Sequence, residues 1–334
     1  MRNYKIDYMR SLAILMVIFN HSLLRFAETQ FQTTILSCLN IFTRPSIALF
    51  CFISGYLFSM NPTVDFFIKR VKRVVFPYLF FSVISVIYYL SIERVEPTSI
   101  FFAKWFLKLL VGDTMGIYYF VFVILYLYVL FGILISSQYF VKNIYLFTFL
   151  LLLCSILHAS YYNDFLLLLD IENSFFIKRF YDWRFPGYWP FFFCLGILFK
   201  KIDIMSLSEN KIPILLSWIF IIFIYIILII GDVKGVLGFN SIICTCYSML
   251  TIILLMIYAP NRKFFIIRYL SEKAYYIYLS HIYIVYIAFP FLKHALSPFV
   301  AGITSSALSI IIPLIAYYAL KLIFKGNTVN IVGA

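Results

Sequence analysis

Arg10 and His21 stand eleven positions apart inside Tyr8 to Leu24, the first stretch of this chain able to cross a membrane. Eleven helical steps of about 100° return to nearly the same face, with the two side chains about 16 Å apart along the axis. Charged and titratable groups at membrane depth are costly, so they face a bundle interior or a wet cavity and have a task there. A neutral imidazole can take a proton from a hydroxyl, and a guanidinium can hold phosphate through its planar fork of donors. Asp7, one turn before Arg10, extends the polar stripe toward the start of the helix. Alone, Arg10 also fits an anchor that snorkels to the headgroups, and His21 a hydrogen bond to a neighbouring helix.

A second group of cations, Lys69-Arg70-Val71-Lys72-Arg73, directly precedes an apolar run that includes Pro77-Tyr78. Such a cluster enforces topology and attracts anionic lipid. Arg70 and Arg73 are also one helical turn apart, so the pair could share a phosphate or diphosphate. Near the other end of the chain His281 follows Tyr278 by one turn, either lining the cavity of His21 or making a structural hydrogen bond. No Asp or Glu falls near the centre of an apolar run, so a carboxylate that orients His21 is not visible. Asn20, Ser54, Tyr56, Asp113 and Asp182 are the candidates for that role, while His158 and His294 lie near the outer interface.

The elements that must position these residues are membrane helices. Hydrophobic residues make up 64% of the 334, against about half in soluble domains, which excludes an ordinary soluble protein. Runs long enough for a bilayer of about 30 Å fall near 8–26, 42–60, 75–92, 117–136, 144–160, 186–200, 213–231, 238–258, 274–292 and 299–324. The expected fold is an all-α, polytopic membrane protein of about ten spans, one domain over residues 1–334 with no separate soluble domain. Basic residues gather on the loops placed inside, which puts both termini in the cytoplasm. Topology thus absorbs most of the net charge of +13, and nucleic acid is not an implied partner. Asp7, Arg10 and His21 interrupt the apolar core of the N-terminus, so it reads as an uncleaved first span rather than a signal peptide. The six cysteines lack metal-ligand spacing, and no metal is expected. Two longer outer loops run over 91–116 and 159–186; the second mixes acids, bases and aromatics that could hold a sugar or sit at the interface.

Several motifs resemble those of the membrane acyltransferase-3 family. Ile6-Asp7-Tyr8-Met9-Arg10-Ser11-Leu12-Ala13 running on to His21 is similar to its Arg-x10-His opening helix. Phe50-Cys51-Phe52-Ile53-Ser54-Gly55-Tyr56-Leu57 resembles its Phe-rich Ser-Gly-Tyr-Leu helix, and Arg70-Val71-Lys72-Arg73 with Pro77-Tyr78 its Arg-x-x-Arg and Pro-Tyr elements. Ala274 to His281 is similar to its Ser-Tyr-x-x-Tyr-Leu-x-His helix, and Phe191 to Ile197 more loosely to its Phe-rich Gly span. Each motif is weak singly; their order over nearly the whole chain makes the resemblance specific. One departure stands in the middle: Gly112 to Phe120 lacks the Trp-Ser-Leu-Ser-x-Glu-like run of many members that modify O-antigens.

The resemblance implies an integral membrane O-acyltransferase, EC 2.3.1.-, in a bacterial cell membrane. It would move an acyl group, acetyl by default with succinyl open, from cytoplasmic acyl-CoA to a hydroxyl of a surface polysaccharide or its lipid-linked precursor. It implies a catalytic role for His21 and an acyl-donor role for Arg10, Arg70 and Arg73. Asp7, Ser54, Tyr56, Tyr278 and His281 are candidates for the cavity wall. Acyl-CoA would be a co-substrate with no cofactor bound permanently, and membrane lipid and a glycan the other partners. A glycan or lipid transporter and a scaffold for polysaccharide assembly are the competing readings.

Overall fold

The computed structural model describes residues 3–168, 187–202, 204–233, 238–239 and 241–324, and the elements among them are all helical. Helix α1 spans Tyr4–Leu23, α2 Gln30–Asn40, α3 Ser46–Tyr56, α4 Val64–Ser91, α5 Ser99–Leu110, α6 Tyr119–Ser136 and α7 Gln138–Lys142. Helix α8 spans Ile144–Leu168, α9 Pro190–Leu198, α10 Ile204–Glu209, α11 Lys211–Ile230, α12 Ile242–Tyr258, α13 Phe265–Ala295 and α14 Pro298–Phe324.

Each of the ten apolar runs carries a helix. Among the described residues, seven stretches are long and apolar enough to cross a membrane: Gln30–Tyr56, Val64–Ser91, Tyr119–Ser136, Ile144–Tyr161, Lys211–Ile230, Phe265–Ala295 and Pro298–Ile323. The other three differ for visible reasons. Helix α1 spends composition on Lys5, Asp7 and Arg10, α12 has 17 residues, and α9 has nine. The 91–116 loop contains α5, started by Thr98, whose side chain accepts a hydrogen bond from the Phe101 amide at 3.1 Å. Residues 169–186, with Asp182 and most of the second expected loop, lie outside the described residues.

Helix α1 sits inside the bundle against α3, α13 and α14. Between lipid-solvated helices apolar contact with a neighbour replaces apolar contact with a tail, so close packing of small residues carries association. Gly55 of α3 and Gly196 of α9 show this. A Cβ on Gly55 would collide with the Phe193 carbonyl, and one on Gly196 with the Phe52 carbonyl. The Ser-Gly-Tyr-Leu and Phe-rich Gly motifs are therefore the two faces of one tight crossing. Around it Phe52, Phe58, Phe131 and Phe193 are buried, and Phe131 stacks on Phe193 with centroids 4.6 Å apart. Helix α11, by contrast, buries only Tyr225 and exposes residues such as Leu216, Phe220 and Phe223. That apolar surface is the composition of a lipid-facing helix.

Candidate active site

Of the cavities along α1, one is lined by Arg10 and another by His21. The first, of about 370 Å³, is lined by Arg10, Arg70 and Arg73 together with Ser54, Glu272 and Tyr278. Thr63 caps α4 through the Phe66 amide at 3.2 Å, and the first turns of that helix carry Arg70 and Arg73 to the cavity. Arg70 is held on three sides: its Nη2 donates to the Leu57 carbonyl at 2.5 Å, Nη1 to the Tyr128 hydroxyl at 3.4 Å, and the plane lies 4.5 Å from the Phe66 ring centroid. Its Nε is buried with no hydrogen-bond partner among the described residues. A guanidinium fixed by carbonyl and ring contacts keeps its charge available to an anion, because none of these partners neutralises it. Glu272 pairs with Arg268 at 2.8 Å on the rim.

The second cavity, of about 290 Å³, is lined by His21, Asn20, Ser46, Gly116, Tyr278 and Tyr286 among others. Tyr278 is common to both cavities. Its hydroxyl donates to the Ile117 carbonyl, and its ring packs on Phe120 with centroids 5.8 Å apart. The 116–119 turn that meets it needs Gly116, whose φ of 52° lies in the left-handed region. His281 is fully buried behind His21, ring centroids 5.6 Å apart. His281 Nδ1 is 2.8 Å from the Tyr278 carbonyl and 3.1 Å from that of Ile277. Two acceptors require a donor between them, so Nδ1 carries a proton, and in the neutral form of the ring Nε2 is an acceptor. Nε2 is buried without a hydrogen-bond partner among the described residues.

The structure thus brings Arg10, Arg70, Arg73, Ser54 and Tyr278 to one cavity and His21 to the other, with His281 directly behind His21. Besides His281, which lines neither cavity, two more candidates for the cavity wall sit elsewhere. Asp7 lines neither cavity: it is buried against α13, accepting from Ser271 Oγ at 2.8 Å. Tyr56 also lines neither, and its hydroxyl accepts from Asn3 Nδ2 at 3.1 Å. Asn20 joins a polar knot at the α2–α3 bend, where Thr43 Oγ1 lies 3.3 Å from Asn20 Oδ1 and donates to the Asn40 carbonyl at 2.7 Å. Sequence reasoning missed Ser46, Gly116, Phe239 and Tyr286 as walls of the His21 cavity. The departure at Gly112 to Phe120 was the one usable signal, since that run supplies Gly116, Ile117 and Tyr119. A larger void of about 660 Å³ lies on the opposite face of α1, around Leu15, Phe19 and Trp218. Its lining is almost wholly apolar, which suits lipid contact and offers no group for chemistry.

The described residues form a multi-pass helical bundle in which a basic cavity and a histidine cavity share one tyrosine. The model of the acyltransferase-3 family, described as an acyltransferase domain, matches residues 3–318, and the chain belongs to that family. It is a membrane acyltransferase. No curated protein and no solved structure matches the chain.

Proposed function

We propose that the protein transfers an acyl group, acetyl by default, from cytoplasmic acyl-CoA to a hydroxyl of a cell-surface polysaccharide or its lipid-linked precursor. The observation that carries this reading is the meeting of the arginine cavity and the His21 cavity at Tyr278. In this account Arg10, Arg70 and Arg73 hold the nucleotide phosphates of the donor at the cytoplasmic end. The pantetheine arm passes Tyr278, and the thioester reaches His21. A separation of about 16 Å along α1 then corresponds to the length of the arm rather than to two unrelated sites.

At the thioester, a neutral His21 accepts the proton of the acceptor hydroxyl while its oxygen adds to the carbonyl carbon. The tetrahedral adduct collapses by breaking the carbon–sulfur bond, and the CoA thiolate leaves and takes up that proton. His281 acts on His21 by position: once the rings close on each other its unpartnered Nε2 accepts the N–H of His21, leaving the other His21 nitrogen to face the hydroxyl. The two rings are tilted with centroids 5.6 Å apart, so a hydrogen bond between them requires a closer approach of the rings. Direct attack, without an acyl-histidine intermediate, predicts that no acyl group is trapped on the protein in a single turnover lacking acceptor.

The test is mass spectrometry of surface glycan from cells with the intact protein, with none, and with His21→Ala at matched protein level. A gain of one acetyl mass that is absent in both other samples is the expected result. Acetylated glycan in the His21→Ala cells overturns the role of His21, and unchanged glycan in all three overturns the acceptor class.

A further inference from the structure

Two guanidiniums flank the His21 cavity, and neither belongs to the donor side. Arg25 Cζ lies 4.3 Å from the ring centroid of Tyr286 and 4.7 Å from that of Phe289. Arg44 Cζ lies 4.9 Å from the ring centroid of Phe239. Tyr286 and Phe239 are walls of the cavity that holds His21, and both cations are within electrostatic reach of its ring. Arg44 precedes the lining residue Ser46 by two positions, held there by the turn at Ile41–Thr43 and its own amide bond to the Ile41 carbonyl at 3.0 Å.

Arg44 is the informative member of the pair. It is only 6% exposed, its Nε has no hydrogen-bond partner, and no carboxylate pairs with it among the described residues. Buried charges are ordinarily paired, because a charge taken out of water must regain its solvation from somewhere. Stacking on Phe239 returns part of that; the fork of N–H donors is left to a group that arrives from outside the chain. A lipid headgroup at the surface could satisfy exposed Arg25, whereas buried Arg44 lies against Phe239, a wall of the cavity.

We propose that the His21 cavity takes an anionic acceptor: a sugar bearing a phosphate or carboxylate close to the hydroxyl to be acylated, with that oxyanion held between Arg25 and Arg44. This deepens the acyltransferase reading and rests on it for the identity of the cavity as the acceptor site. It gives the two ends of α1 different anions, the donor phosphates at Arg10, Arg70 and Arg73 and the acceptor oxyanion at Arg25 and Arg44. Arginine suits the task because its fork binds either oxyanion bidentately, fixing the sugar's orientation as well as its charge.

The experiment reads the cavity without turnover. The full-length protein in lipid nanodiscs is treated with diethyl pyrocarbonate, and modification of His21 is followed by peptide mass spectrometry in the presence of inorganic diphosphate, glucuronate or glucose. The two anions protect His21 and glucose does not; whichever anion protects at the lower concentration separates a phosphate from a carboxylate acceptor. In Arg25→Gln and in Arg44→Gln the half-protecting concentration rises about tenfold, in keeping with loss of one charge-assisted contact. Arg44→Lys, which keeps the buried charge, falls between, and Arg70→Gln leaves protection unchanged because its cavity is the other one. Failure of both anions to protect the unaltered protein, or protection that survives both Arg→Gln changes, overturns the proposal. Acyl transfer that persists in His21→Ala would instead overturn the catalytic reading and leave this protection as it stands.

Discussion

The two cavities along α1 are built in opposite ways. The arginine cavity draws its charge from local sequence: Arg70 and Arg73 are one turn apart on α4, and Arg10 meets them from α1. The histidine cavity draws single residues from α1, the start of α3, the 116–119 turn, Phe239 and α13. Two cations one turn apart can be placed by a single helix end, and on the proposed reading the polyanionic donor they meet calls for charge more than for shape. On the proposed reading the His21 cavity must also orient a hydroxyl toward a base, and the walls that do this come from segments far apart in the chain. The arginine cavity is therefore compact in sequence and the histidine cavity dispersed.

That contrast can be broken from either side. The largest expected effect is on the donor: Arg70→Gln with Arg73→Gln removes two charge-assisted contacts of about 1.5–3 kcal/mol each, raising the KM for acyl-CoA by at least about a hundredfold. The kcat at saturation should stay within a few fold, and steady-state CoA release with a thiol reagent measures both. Next is the crossing that supports both cavities. Gly196→Val puts a branched side chain against the Phe52 carbonyl and should cost about 3 kcal/mol or more, seen as a lower melting temperature in detergent and reduced folded protein.

His281 tests the other side of the comparison. His281→Phe keeps the ring but removes the acceptor, and should lower kcat about tenfold or more with KM for acyl-CoA unchanged. His281→Gln, which can return an oxygen to the Nε2 position, should recover part of the loss; equal loss in both variants would mean that His281 only fills space. The smallest effect belongs to Tyr278→Phe. It removes the bond to the Ile117 carbonyl and should change kcat by only a few fold, because the ring that separates the cavities remains.

Helix placement was legible because a membrane helix advertises itself by length and apolarity, and each of the ten expected runs is helical. Less legible was what each helix buries. The Gly55 and Gly196 crossing could not be read from either motif alone, since the close approach is a property of the pair. Asp7 shared a helix with Arg10 and His21, yet about 100° of rotation per residue turns it to Ser271 and out of both cavities. Arg44 was invisible for a different reason. Next to Pro45 at the end of a turn it looks like one more interfacial cation, and only its burial against Phe239 distinguishes it. His281 was named as a candidate for the cavity wall; it packs on His21 without lining either cavity, and its tautomer depends on two carbonyls that only the folded helix supplies.

The separation of donor binding from acyl delivery is tested most directly by measuring both in the same membranes carrying His21→Ala. Labelled acetyl-CoA should bind within about twofold of its affinity for the unaltered protein, while transfer to glycan falls by about a thousandfold or more. Transfer at the unaltered rate, or donor binding lost together with transfer, would contradict the assignment of the two tasks to two cavities.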